Sequence, residues 1–257
     1  MQTNSPDFLK SIAVKRIDNY PGKPTIVFLH DSLGCITLWR DFPEKLGELT
    51  QCNVLIYDRQ GYGNSCPFTY DERDILYMEN EADILIDLLN YWKIEKVILF
   101  GHSDGGSIAL IAVGKYPDRF MGVITEGAHI FVEDVTVSGI KAAVDLYQTT
   151  DLKTKLAKYH GDKTDAMFRA WAGTWTTNAF YSWNIEKFLP SIKCPVLIIQ
   201  GEQDEYGTLK QVERIIAQTS GPAHKLVLPN VKHSPHKKAP DIIWEAATDF
   251  IKGEIKI

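Results

Sequence analysis

No stretch of the 257-residue sequence approaches the roughly 18 consecutive apolar residues that a membrane-spanning helix requires. The leading segment MQTNSPDFLKS has neither the basic n-region nor the apolar h-region of a secretory signal. Together these absences predict a soluble, cytoplasmic protein. Positive charge is scarce as well: 28 Lys and Arg stand against 33 Asp and Glu, a formal net charge of -5. No Lys/Arg cluster is long enough to follow a phosphate backbone, so neither nucleic acid nor membrane is an expected partner. Cysteine is sparse and scattered: Cys35, Cys52, Cys66 and Cys194 form no CxxC pair and have no histidine at metal-ligand spacing. Reduced structural thiols and no metal site are expected. Internal repeats and low-complexity linkers are absent too.

What is present is the composition of an ordinary packed protein, 44% hydrophobic and 24% charged. Length alone permits one α/β domain or two small ones. Patterning is more specific. Short apolar runs alternate with longer amphipathic stretches, the signature of a mostly parallel sheet flanked by crossover helices. The expected strands are Ser11 to Ile17, TIVFLH (25–30), NVLIYD (53–58), KVILFG (96–101), GVITEG (122–127), PVLIIQG (195–201) and HKLVLP (224–229). Helices are expected over Thr37 to Leu49, Asp74 to Trp92, Gly105 to Tyr116, Leu209 to Thr219 and Pro240 to Lys252. From about Ile130 to Ser191 the strand pattern stops and short, aromatic-rich helical segments replace it. That interval reads as a helical cap, residues 130–190, inserted into a core of residues 1–129 and 191–257. Ligands of open α/β sheets bind at the carboxyl ends of the strands, so some cap aromatics should face a pocket; Trp171 and Trp175 are the candidates for substrate contact.

The chemistry concentrates in KVILFGHSDGGSIALIAVGKYP, where an apolar strand runs through Gly101, His102, Ser103, Asp104 and Gly105 into a helix. G-x-S-x-G in strand-turn-helix context places a serine on a sharp turn with its hydroxyl above the sheet, and the helix N-terminus faces any negative charge that develops there. Two further loops offer partners. In PVLIIQGEQDEYGT, Asp204 follows a buried strand by one short turn, with Glu202 and Glu205 as competitors. In LPNVKHSPHKKAPD, between the last strand and the last helix, His233 can take the serine proton, while His236 is expected to pack at the start of the helix. His102 is fixed beside the serine, and His129, His160 and His224 are expected to be surface or core fillers.

These residues, in the order Ser, Asp, His, resemble the α/β-hydrolase superfamily over nearly the whole chain, including the place of the cap, which the resemblance puts after the sixth strand. LHDSLG (29–34) is similar to the family's His-Gly loop, and YDRQGYGNS (57–65) resembles its Asp-x-Arg-Gly-x-Gly-x-Ser turn, in which Asp58 and Arg59 hold loops together. The resemblance implies catalytic Ser103, Asp204 and His233, with an oxyanion hole formed by the backbone N–H groups of Ser32 and Asp104. It departs from the family at Asp31, where a second glycine is common. Two acids beside an oxyanion site are electrostatically awkward unless their side chains turn away or accept hydrogen bonds. No metal or organic cofactor is implied. A serine rather than an aspartate nucleophile argues against dehalogenase and epoxide hydrolase chemistry. The implied activity is carboxylesterase-like: acyl transfer from an ester or thioester of a small to mid-sized apolar or aromatic molecule. The alternatives are a carbon–carbon bond hydrolase or a lyase/synthase using the same triad, and a ligand-binding or signalling protein on the same scaffold. A small-molecule substrate is the expected partner, and a homodimer is compatible with this reading.

Overall fold

The computed structural model describes residues 5–70 and 72–255; residues 1–4, the beginning of the polar leading segment, lie outside the described residues. A short helix α1 (Pro6–Lys10) precedes β1 (Val14–Ile17) and β2 (Thr25–Leu29); then α2 (Phe42–Thr50), β3 (Asn53–Tyr57), α3 (Tyr77–Tyr91), β4 (Val97–His102), α4 (Asp104–Lys115) and β5 (Phe120–Glu126) alternate. Four helices follow without a strand between them: α5 (Asp134–Thr149), α6 (Leu152–His160), α7 (Thr164–Trp175) and α8 (Asn178–Tyr181). The alternation resumes with β6 (Val196–Gly201), α9 (Leu209–Gln218) and β7 (Ala223–Leu228), and ends with α10 (Pro235–Lys238) and α11 (Pro240–Glu254). Among the described residues no helix is long and apolar enough to cross a membrane.

The seven strands form one sheet in the order β1-β3-β2-β4-β5-β6-β7. Only β1 runs antiparallel, against β3; every other pairing is parallel. Both faces of the central strands are covered, which is why they read as unbroken apolar runs. Side chains alternate across β2: Val27 and Leu29 join the core beneath α3 and α4, while Ile26 and Phe28 join the core beneath α2 and α11. The edges differ as expected. β1 and β7 expose part of their residues, whereas β2, β3, β4 and β6 are fully buried.

Three expectations need correction. The helical insertion follows the fifth strand, not the sixth, because only one strand, β1, precedes the parallel set. The helix expected from Thr37 to Leu49 is broken into a 3-10 turn, Ile36–Trp39, and α2. Pro43 has no N–H to continue a helix from the preceding turn, and Arg40 between them adopts φ 55°. The leading strand starts at Val14 because Ser11 instead ends α1, its N–H bonded to the Asp7 and Phe8 carbonyls.

Candidate active site

Ser103, Asp204 and His233 lie on loops leaving β4, β6 and β7, so parallel strands deliver all three to the same edge of the sheet. Ser103 is held at φ 55° and ψ -119°, a backbone state that non-glycine residues adopt rarely and that clusters at functional turns. Its N–H donates to the Glu126 carbonyl at 2.8 Å, and its own carbonyl accepts from Gly106 and Ser107 at 2.8 and 3.0 Å. The flanking glycines are steric necessities. A Cβ on Gly101 would run into the Gly105 carbonyl, and one on Gly105 into the Leu29 carbonyl at the end of β2. Gly105→Ala is therefore expected to cost about 3 kcal/mol of stability, read as a lowered urea midpoint.

The three side chains form one hydrogen-bonded line. His233 Nε2 is 2.9 Å from Ser103 Oγ, and its Nδ1 is 2.8 Å from each Asp204 carboxylate oxygen. The carboxylate acts only as acceptor, so Nδ1 carries the hydrogen and Nε2 presents its lone pair to the serine hydroxyl. Asp204 is pinned from behind: Oδ2 accepts from Gln200 Nε2 at 2.7 Å and Oδ1 from the Tyr206 N–H at 2.8 Å. Burial opposes its ionisation, but the charge and hydrogen bond of His233, with these donors, hold its pKa below the ordinary carboxylate value. Burial likewise disfavours the His233 imidazolium, and the Asp204 carboxylate outweighs it, so the His233 pKa is raised above the ordinary 6.5.

The base loop is braced from two sides. The His233 N–H donates to Glu205 Oε2 at 3.2 Å, and His102 Nε2 donates to the His233 carbonyl at 2.8 Å. Glu205 thus serves the backbone of the base rather than its ring, and exposed Glu202 takes no part. His102 Nδ1 faces Asp31 Oδ2 at 3.5 Å. His236 is buried as expected at the start of α10, with Nδ1 bonded to Glu126 Oε2 at 2.6 Å and its ring 4.7 Å from that of Trp39. His102, Glu126 and His236 place potential metal-ligand atoms within 4.8 Å of one another. His236 bonds Glu126 directly and His102 bonds the His233 carbonyl, which makes them a buried polar brace, while Glu126 Oε1 has no hydrogen-bond partner among the described residues.

Asp31, Ser32, Leu33, Ser103, Asp104 and His233 line a cleft together with Thr136 and Ile140 of α5, Trp171 and Trp175 of α7, His129 and Tyr206. It encloses about 440 Å³ of space, its open mouth included. Both tryptophans singled out in the sequence are in its wall. The backbone N–H groups of Ser32 and Asp104, both cleft-lining residues, have no backbone acceptor among the described residues. Of the two awkward acids, Asp104 is hydrogen-bonded, whereas Asp31 Oδ1 has no hydrogen-bond partner among the described residues. Asp104 Oδ2 accepts from the Tyr77 hydroxyl at 2.9 Å, with Arg59 Nη2 at 4.0 Å. Burial disfavours ionisation of Asp31, but Lys237 and His102 outweigh it and keep its pKa below the usual range. Asp58 and Arg59 hold loops as anticipated: Asp58 accepts from the N–H groups of Ile36 and Asn64 at 2.7 and 2.8 Å, and Arg59 Nη2 donates to the Asp31 carbonyl at 2.9 Å.

Several residues were missed or misread from sequence. His129 is no filler: it lines the cleft, 5.4 Å ring to ring from Trp175 and 5.9 Å from His233. His160 bridges two loops, accepting from the Gly63 N–H and bonding the Leu33 carbonyl, each at 3.0 Å, whereas exposed His224 meets Glu254 and the Phe250 ring. Gln200 went unnoticed, although a glutamine in the otherwise apolar run VLIIQ was its signal. Tyr77 gave no signal at all. The cysteines are free, and burial pushes the Cys35 and Cys194 thiols up to about 11, unreactive as expected of packing residues.

Comparison with known proteins bears on the family and the fold. The model of the "Alpha/beta hydrolase family" matches residues 26–246. The human "Serine hydrolase BPHL" is 31% identical over 221 residues, 82% of this chain and 74% of the human one. A "2-succinyl-6-hydroxy-2,4-cyclohexadiene-1-carboxylate synthase" of Enterobacter sp. (strain 638) is 30% identical over 125 residues, 49% of this chain and 45% of that protein. Among solved structures, the 2-hydroxy-6-oxo-6-phenylhexa-2,4-dienoate hydrolase of Rhodococcus sp. strain RHA1 superposes with a TM-score of 0.78 at 17% identity, covering 90% of this chain and 91% of that one, which establishes a shared fold. By the extent of the family match and the similarity to a serine hydrolase over 82% of its length, the chain is an enzyme of the alpha/beta hydrolase family.

Proposed function

We propose that the chain hydrolyses an ester, thioester or related acyl bond of a small to mid-sized apolar or aromatic molecule through an acyl-enzyme on Ser103. The observation that carries this reading is the unbroken line Ser103 Oγ, His233 Nε2, His233 Nδ1, Asp204 at hydrogen-bonding distances of 2.8 to 2.9 Å. In the first step His233 takes the Ser103 proton as Oγ attacks the acyl carbon, and the N–H groups of Ser32 and Asp104 hold the oxyanion. The imidazolium then returns that proton to the departing alkoxide or thiolate. In the second step His233 deprotonates a water that attacks the acyl carbon, and the proton passes back to Ser103 as the acid leaves. The helices of residues 134–181 act as the lid. Leu33, Ile140, Trp171 and Trp175 give the cleft apolar walls.

The similarity to the Enterobacter synthase favours a second reading, in which the same triad abstracts a proton and no acyl-enzyme forms. Trapping an acyl-enzyme separates the two, and a panel of p-nitrophenyl esters, acyl thioesters and vinylogous diketones separates acyl transfer from carbon–carbon bond hydrolysis. Turnover of esters or thioesters, with kcat/KM rising as a short acyl chain gains methylenes, is the expected result. Turnover confined to the diketones, with esters inert, would assign the site to carbon–carbon chemistry.

A further inference from the structure

The residue after the nucleophile must supply an N–H to the oxyanion, yet here it carries a carboxylate of its own. An ionised group swinging into the cleft would repel the charge that the site has to stabilise. What keeps it aside is a hydrogen-bond chain drawn from three separate elements. Trp175 Nε1 at the end of α7 donates to the Tyr77 oxygen at 2.9 Å, and the Tyr77 hydroxyl at the start of α3 donates to Asp104 Oδ2 at the start of α4, also at 2.9 Å. The direction is forced, since an indole nitrogen only donates and a carboxylate only accepts. All three side chains belong to residues at most 5% exposed. Tyr77 is itself fixed, with the Arg73 guanidinium 4.4 Å over its ring and Phe180 of α8 stacked at 6.1 Å. Burial, then the neighbouring Asp104 charge, holds the phenol far above its usual pKa, so it stays a donor at every working pH.

We propose that Tyr77 is a positioning residue of the oxyanion pocket: its hydroxyl keeps the Asp104 carboxylate behind the cleft wall and, through Trp175, joins that arrangement to the seat of the helical insertion. The proposal rests on the acyl-transfer reading above. The insertion and the oxyanion donor are thereby joined, and the seat of the insertion coincides with an Asp104 carboxylate held behind the cleft wall.

The test is a double-mutant cycle of Tyr77→Phe with Asp104→Asn, read in kcat, KM and the affinity for an alkylboronic acid that mimics the tetrahedral intermediate. In the wild-type background Tyr77→Phe should lower kcat by roughly 10- to 100-fold with KM moved less than about threefold, and boronate affinity should fall with kcat, because a buried charge loses its donor. With Asp104→Asn present, where no charge needs restraining, the same change should cost under about threefold. Equal costs in both backgrounds, or an unchanged boronate affinity beside a lowered melting temperature, would reduce Tyr77 to a packing residue and overturn the proposal. Should Tyr77→Phe fail to fold, Trp175→Phe gives a second cycle with Asp104→Asn, in which coupling of at least about threefold is expected and additivity contradicts the chain. Ser103-dependent ester turnover by the wild type is the control that separates the two ideas. If it is absent the acyl-transfer reading fails and takes the proposal with it; if it is present and the cycles are additive, only the proposal fails.

Discussion

Replacing Ser103 by alanine is expected to lower kcat for a turned-over ester by on the order of 10⁴- to 10⁶-fold, with KM and melting temperature near their wild-type values. The loss is large because the Ser103 hydroxyl is the group that His233 Nε2 bonds, at 2.9 Å, among the described residues. The small effect on stability follows from the backbone. The strained φ of 55° is imposed by the packing of β4, α4 and the Leu29 carbonyl, and alanine meets it as serine does. What survives would be binding and the backbone donors alone. Steady-state kinetics of purified wild type and variant check this, and a loss of less than about tenfold would show that the attacking atom lies elsewhere.

Asp204→Asn is expected to lower kcat/KM by about 10⁴-fold, because an amide offers a donor where the imidazole needs an acceptor and so turns His233 into the wrong tautomer. The acid limb of the pH profile should move with it. Attack requires neutral His233, so kcat/KM of the wild type should rise with pH through a midpoint above the ordinary 6.5, in the direction that Asp204 imposes against burial. In the variant that carboxylate contribution is gone while burial remains, so the residual activity should titrate at lower pH than the wild type. The measurement is kcat/KM from pH 5 to 9 for both proteins. A wild-type rate flat over that range, or a limb unmoved by the substitution, would mean that another group is the base.

How much of this was legible in the residues depends on the kind of contact. The nucleophile turn carried its own signal, since the apolar run into Gly101, the acceptable residue at Ser103 and the helix from Asp104 are local and sterically coupled. Asp204 and His233 could be placed because each follows a buried strand by a short loop, and parallel strands send such loops to one edge. Element identity in the sheet was readable for the same reason: fully buried strands leave unbroken apolar runs. The helical insertion hid its internal boundaries, because its helices, from the 16-residue α5 to the four-residue α8, follow one another with no strand to mark them off. The break at Arg40 and Pro43 was a local signal overridden by the amphipathic spacing around it. The supporting layer was the least visible. Tyr77 reaches Asp104 and Trp175 across three elements, and Glu126 meets His236 from 110 residues away, so no spacing in the chain announces either pair.

Those supporting contacts explain how the three loops hold their side chains within hydrogen-bonding distance of one another. Asp204 is oriented by a strand glutamine, His233 by bonds to both its N–H and its carbonyl, and Ser103 by the strand beside it. A hydrogen-bonded side chain whose neighbours are also bonded has few alternatives, which is the physical meaning of preorganisation at such a site.

The central claim is that a covalent bond forms between Ser103 and the acyl group. Rapid quenching of the enzyme in acid during turnover of an activated ester, followed by proteolysis and mass spectrometry, tests it most directly. The prediction is an added mass equal to the acyl group on the peptide that contains Ser103, appearing before steady state and absent from Asp204→Asn on that timescale. Continued ester turnover with unmodified Ser103, or with the acyl group on a different residue, would contradict it.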